Sequence, residues 1–299
     1  MRSVPHELYP FTPRRVRVHG FELSYLDEGP ESGPITVMVH GNPTWSIYYR
    51  RVVEAVVARG GRALVLDHIG CGGSDKPSAD RYPYTLSRRV DDLGRWLELI
   101  GVSERPFNLV VHDWGGAIGL GYASQPEVRD RLQRLVVLNT AAFHIPGDKL
   151  LPPTLRLGRD SRLGQWLIQG LNAFSGLATR WACVKPMPAA LRAAYTAPYD
   201  SWSNRVATYR FVKDIPLRAG DPAFEMISKT QAQLSALSDK PVFIGWGLRD
   251  FVFDESFLRV WQRRFPKAEQ HIYEDAGHYI LEDKAEELTP LIAEFLSAA

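Results

Sequence analysis

The run Leu109-Val110-Val111-His112-Asp113-Trp114-Gly115-Gly116 constrains this chain more than any other segment. An apolar, β-branched strand passes straight into small residues that open a helix, with no room for a loop between them. Such a turn lifts the side chain at its apex clear of the sheet, and the glycines let the following helix pack close. The apex residue is Asp113. A carboxylate is already an anion at neutral pH, so it can attack carbon without a base to deprotonate it first, and the product is an ester on the protein.

The rest of the chain supplies the sheet that such a turn needs. Short β-rich runs at 16–18, 22–26, 35–40, 63–66, 108–111, 135–139, 242–245 and 270–273 alternate with longer amphipathic segments, and the first two flank His19-Gly20 as a hairpin. Alternation of this kind predicts a mostly parallel sheet with crossover helices, and eight strands fit the α/β-hydrolase plan. A length of 299 residues accommodates one such core and a modest insertion. The stretch between 139 and 242 is far longer than one crossover helix requires. We read 143–219 as a helical cap broken into short helices by prolines, with 1–142 and 220–299 forming the two parts of the core. The cap is rich in aromatic residues. It is expected to roof the carboxyl ends of the strands, with Tyr199, Trp202 and Phe211 as candidates for substrate contact.

Four further residues carry the chemistry. In His40-Gly41-Asn42-Pro43-Thr44-Trp45, after the third strand, the amide of Asn42 can donate to an anion forming above Asp113, and the indole N–H of Trp114 is a second neutral donor. Two such donors suit a halide or a carboxylate leaving group. Glu274-Asp275-Ala276-Gly277-His278 follows the last strand, where this fold delivers its histidine, so His278 is the expected base. The acid that orients it is expected at Asp250, after the seventh strand, with Asp254 as the competitor. Position 139, an alternative place for that acid, holds Asn139, which cannot carry the charge.

A formal charge of +2 offers no electrostatic reason to expect nucleic acid. The two cysteines, Cys71 and Cys183, have neither metal-ligand nor disulfide spacing. No motif calls for a cofactor or metal. Without an apolar leader or a spanning stretch, the expected setting is the cytoplasm, and the expected partner is a hydrophobic small molecule.

Together, His-Gly-Asn-Pro-Thr at 40–44, Asp67 through Ile69-Gly70 to Ser74-Asp75-Lys76-Pro77, and the Asp113-Trp114 elbow resemble the haloalkane dehalogenase branch of the α/β-hydrolases. The resemblance implies that Asp113 is the nucleophile, that Asn42 and Trp114 stabilise the leaving group, and that His278 with Asp250 assists a later step. Within that branch, Asp67-His68-Ile69-Gly70-Cys71-Gly72, Trp45-Ser46-Ile47-Tyr48-Tyr49-Arg50, Asn139-Thr140-Ala141-Ala142-Phe143 and Ala197-Pro198-Tyr199-Asp200-Ser201-Trp202 look like the β-lactone decarboxylases of bacterial long-chain olefin biosynthesis. That family converts a cis-disubstituted β-lactone to a cis-alkene and carbon dioxide, and the resemblance leaves open an assembly with other enzymes of the same pathway. Dehalogenation is the alternative. Epoxide hydrolysis would need acids such as Tyr195, Tyr199 or Tyr209, and a non-catalytic binding module would have little reason to keep all five site residues.

Overall fold

The computed structural model describes residues 4–147 and 149–298. Eight strands form one sheet: β1 (Arg14–Val18), β2 (Phe21–Glu28), β3 (Ile35–Val39), β4 (Arg62–Leu66), β5 (Phe107–Asp113), β6 (Leu132–Thr140), β7 (Val242–Gly247) and β8 (Glu269–Tyr273). Their order is β1-β2-β4-β3-β5-β6-β7-β8, with β1 and β2 antiparallel to their neighbours and all other pairs parallel. The eight strands expected from the sequence are all present. The largest extension is at the start of β6, and β5 runs on to Asp113 itself.

β3, β4, β5 and β7 are buried along their whole length, as parallel strands covered on both faces must be. Alternation sorts their side chains. Val37, Leu64, Val111, Val137 and Ile244 face one core, whereas Met38, Val65, Val110, Val136 and Phe243 face the other. The second face is covered by α1 (Arg50–Ala58), through Val52, Val53 and Val56, and by the C-terminal helix, through Leu288 and Ile292. The first is covered by α2 (Leu86–Leu99) and α3 (Trp114–Ala123), which pack on each other.

Between β6 and β7 come α4 (Pro153–Asp160), α5 (Arg162–Leu171), α6 (Ala173–Trp181), α7 (Ala189–Thr196), α8 (Val206–Lys213) and α9 (Phe224–Gln233). α4 to α8 pack mainly on one another, while α9 returns to α3 in the core. The chain then continues through α10 (Glu255–Arg264), α11 (Ile280–Asp283) and α12 (Ala285–Ser297). Among the described residues no helix is long and apolar enough to cross a membrane.

Strand order reverses between β3 and β5: the chain leaves β3 for β4 on one side, then returns to place β5 on the other. A crevice opens at the carboxyl ends of strands at such a reversal. Asn42, just after β3, and Asp113, the last residue of β5, meet in that crevice.

Candidate active site

Asp113 adopts φ 52°, ψ −127°, a left-handed backbone conformation that costs a non-glycine residue free energy and is held here by its surroundings. Two glycines make the turn possible. A Cβ on Gly115 would lie 1.9 Å from the carbonyl oxygen of Val39, and one on Gly41 would lie 2.1 Å from Asp113 Oδ1. The close approach at Gly41 lets the backbone N–H of Asn42 donate to Asp113 Oδ1 at 2.6 Å. The hydroxyl of Thr140 donates to the carbonyl of Asp113 and ties the elbow to β6.

His278 lies across the carboxylate. Its Nε2 is 3.6 Å from Asp113 Oδ2, and its Nδ1 is 2.7 Å from Asp250 Oδ2. At 3.6 Å there is no hydrogen bond, so Oδ2 is the less engaged oxygen of Asp113. Asp250 is fully committed: Oδ2 also accepts from Asn139 Nδ2 at 3.0 Å, and Oδ1 accepts from the N–H groups of Val252 and Phe253 at 2.7 and 3.0 Å. Asp254 lies apart from this group. It caps α10 through the N–H of Ser256 and pairs with Lys149 at 2.7 Å, which accounts for its carboxyl being held low against the effect of partial burial.

Burial pushes the Asp113 carboxyl above its ordinary pKa, opposed by the charge of His278 and by the backbone N–H groups of Asn42 and Trp114. Burial pulls the His278 imidazole the other way. The charge and hydrogen bond of Asp250, with the charge of Asp113, outweigh it and leave His278 above an ordinary histidine.

The sequence reading missed two positioning residues. His112, immediately before Asp113, is buried; its Nε2 lies 2.8 Å from the carbonyl oxygen of His278, and its ring lies 4.6 Å from that of His278. Burial, then the charge of His278, holds it well below the ordinary imidazole range, so it is neutral and donates from Nε2. Its place one residue before the elbow was the available signal. Asn139, considered only as a position without charge, joins β6 to β7: it bonds Gly247 through both its amide oxygen and nitrogen, at 2.9 and 3.0 Å, and holds Asp250 as well.

Asn42 and Trp114 both line the cavity over Asp113. The side-chain amide of Asn42 donates to the carbonyl of Thr208 at 3.1 Å, which leaves one of its two N–H bonds for a ligand. The Trp114 indole packs on Phe211 at 5.6 Å, and its N–H has no acceptor among the described residues.

The aromatic candidates for substrate contact lie elsewhere than expected. Tyr199, Trp202 and Phe211 do not line the cavity. Tyr199 is buried with its hydroxyl on the carbonyl of Thr44, Trp202 lies on the outer surface, and Phe211 is wedged between Trp114 and the Arg89 guanidinium, 3.6 Å from its ring centre. Tyr195 is equally occupied, donating to Glu282, and Tyr209 is not in the lining either. None of these three tyrosines is in the cavity wall. The cavity, about 310 Å³, is walled instead by aliphatic side chains of α4, α5 and α8, by Phe174 and Leu177 of α6, and by Phe251 and Phe253 after β7.

A strand-borne aspartate at a helix N-terminus, facing a histidine that a second carboxylate orients beneath a helical insertion, defines an α/β-hydrolase. A family model for the alpha/beta hydrolase fold matches residues 34–285. The chain is 47% identical to a cis-3-alkyl-4-alkyloxetan-2-one decarboxylase of Xanthomonas campestris pv. campestris, across 96% of this chain and 97% of that one. It is also 47% identical to one of Shewanella oneidensis, across 97% and 90%. A haloalkane dehalogenase of Mycobacterium marinum is 33% identical across 95% and 93%. A putative ancestral haloalkane dehalogenase of known structure shares the fold with a TM-score of 0.85 at 24% identity, across 95% and 98%. The chain belongs to the α/β-hydrolase family, in the branch shared by these decarboxylases and the haloalkane dehalogenases.

Proposed function

We propose that this protein is a β-lactone decarboxylase that converts a cis-3,4-dialkyl-2-oxetanone to a cis-alkene and carbon dioxide through Asp113. The observation that carries the reading is near-full-length identity of 47% to two proteins of that name, in a chain whose elbow residue is a carboxylate facing an apolar cavity.

Asp113 Oδ2 attacks the ring carbon that bears the lactone oxygen, forming a C–O bond to the protein as the ring C–O bond breaks. The carbon inverts, and the former lactone carbonyl becomes a free carboxylate beside Asn42 and Trp114. The bond from the neighbouring carbon to that carboxylate then breaks, its electron pair forms the alkene, and the ester bond to Asp113 breaks in turn. Carbon dioxide leaves and Asp113 is an anion again, with no net proton or water consumed. Inversion followed by anti elimination is a net syn loss, so a cis ring gives a cis-alkene.

The surroundings favour the second step. Asn42 and Trp114 are neutral donors, which orient a carboxylate without locking it as a cation would. Apolar walls penalise the carboxylate more than neutral carbon dioxide. In this reading residues 143–219 act as the cap that supplies those walls, and 1–142 with 220–299 act as the catalytic core.

The intact His278–Asp250 pair favours one second reading, a haloalkane dehalogenase in which His278 activates water to hydrolyse the ester. Product analysis with a purified cis-3,4-dialkyl-β-lactone separates the two. The expected products are cis-alkene and carbon dioxide; β-hydroxy acid alone would replace the decarboxylase reading with a hydrolytic one.

A further inference from the structure

The cap's outer surface is built differently from the rest of the molecule. Residues 143–219 contain eleven Lys and Arg, four Asp and no Glu, a formal charge of +7 in a chain whose total is +2, so the remainder carries −5. The same segment holds ten of the thirteen large apolar side chains that are exposed among the described residues. An exposed apolar surface of this kind marks a contact site.

Two groups of these side chains are placed by their contacts. Leu150, Leu157, Leu177, Trp181 and Phe251 line the cavity and are also exposed, so they form the rim through which it opens. On the outer side of α5, Leu163, Trp166 and Leu171 are exposed, and Trp166 and Trp202 both come within 3.4 Å of the place a Cβ on Gly170 would take. Neither tryptophan lines the cavity. Arg162 and Arg180 stand among these residues with no carboxylate at ion-pair distance among the described residues. Leu171 shares a shallow cleft with Arg180 and Arg192.

We propose that the cap docks the enzyme, without crossing it, on a bilayer surface that carries anionic lipid, with the cavity rim facing the acyl region. Exposed tryptophan and leucine interleaved with arginine match the layered chemistry of that surface, apolar within and negative at the headgroups. The opposite charge of the core turns it toward water. A long-chain apolar substrate, held in the bilayer, would then pass from lipid to cavity without entering solvent. This last consequence rests on the proposed function; the docking does not.

The test is co-sedimentation of the full chain with vesicles of phosphatidylcholine alone or mixed with phosphatidylglycerol, at low and high salt. Binding is expected to be at least about tenfold stronger on the mixed vesicles and to weaken with salt. Trp166→Ser/Leu171→Ser and Arg162→Glu/Arg180→Glu should each lower it by about tenfold. Both variants should keep the wild-type circular dichroism spectrum and the wild-type rate on a short-chain, water-dispersed lactone. Equal binding to both vesicle types, no binding, or wild-type binding by well-folded variants would overturn the proposal. So would a wild-type dimer, seen by analytical ultracentrifugation, that these variants dissociate, since the face would then join two copies of this chain. Vesicle binding is read without turnover, so its failure and that of the decarboxylase reading are distinguishable.

Discussion

His278 and Asp250 share one hydrogen bond, Nδ1 to Oδ2 at 2.7 Å, and the same oxygen is pinned by Asn139 from the neighbouring strand at 3.0 Å. The acid of this site is thus held from β6 as well as from its own loop. Asn139→Ala removes the tie to Asp250 and both bonds to Gly247. One buried hydrogen bond of about 1.4 kcal/mol corresponds to about tenfold in rate. The expected result is a fall of at least about tenfold in kcat/KM for any step that needs His278, measured beside an unchanged circular dichroism spectrum.

The pKa shifts give the two candidate reactions different pH profiles. Asp113 must be ionised to attack, and burial raises its pKa, so the rate of ester formation should fall as pH drops through a value above the ordinary carboxylate range. His278 is raised above an ordinary imidazole and must lose its proton to activate water. Hydrolysis of an alkyl ester should therefore rise only through that higher pKa, whereas alkene formation needs no base and should show the Asp113 limb alone. Stopped-flow rates on lactone and haloalkane across pH check this.

Leaving-group stabilisation depends on Asn42 and Trp114 in this account. Asn42→Ala and Trp114→Phe should each slow the first chemical step by about 10²–10³-fold. Wild-type rates in single-turnover experiments on both substrate types would remove the assignment.

The sheet and the meeting of Asp113 with His278 were legible in the sequence because each is governed by local rules: period-two burial in the strands, small residues after Asp113, and a histidine just past the last strand. What escaped was set by tertiary contact. Phe211 and Tyr199 are aromatic residues of the helical segment between β6 and β7, yet both are buried away from the cavity, which no local pattern distinguishes. His112 alternates into the sheet like its apolar neighbours, and its bond to the His278 carbonyl spans 166 residues. Arg89 sits on an amphipathic helix, where an arginine reads as exposed, but it is only 1% accessible.

That arginine leads to a stability prediction. Its guanidinium has no hydrogen bond among the described residues and stands 3.9 Å from Asp214, which caps the N-terminus of α2 through Leu86. Burial, opposed by Arg89 and the Leu86 N–H, pushes the Asp214 carboxyl up to about 6. A carboxyl raised in the fold favours the protonated form, so its contribution is fully present below about pH 4 and lost as pH rises through 6, worth about 3 kcal/mol. Arg89→Met leaves Asp214 buried without its counter-charge and should cost about 3 kcal/mol at pH 8, whereas Asp214→Asn removes the ionised group that burial penalises and should not lose stability as pH rises through 6. The double variant should recover most of the Arg89→Met loss and flatten the pH dependence. Urea unfolding of the four proteins at pH 5 and pH 8 checks both signs.

In a decarboxylase the ester on Asp113 is cleared by elimination and not by water. Turnover of a cis-3,4-dialkyl-β-lactone in H₂¹⁸O, followed by mass analysis of the peptide containing Asp113, tests it most directly. The expected result is cis-alkene, with the Asp113 peptide at its natural mass after many turnovers. A peptide carrying ¹⁸O on Asp113, together with β-hydroxy acid, would contradict it.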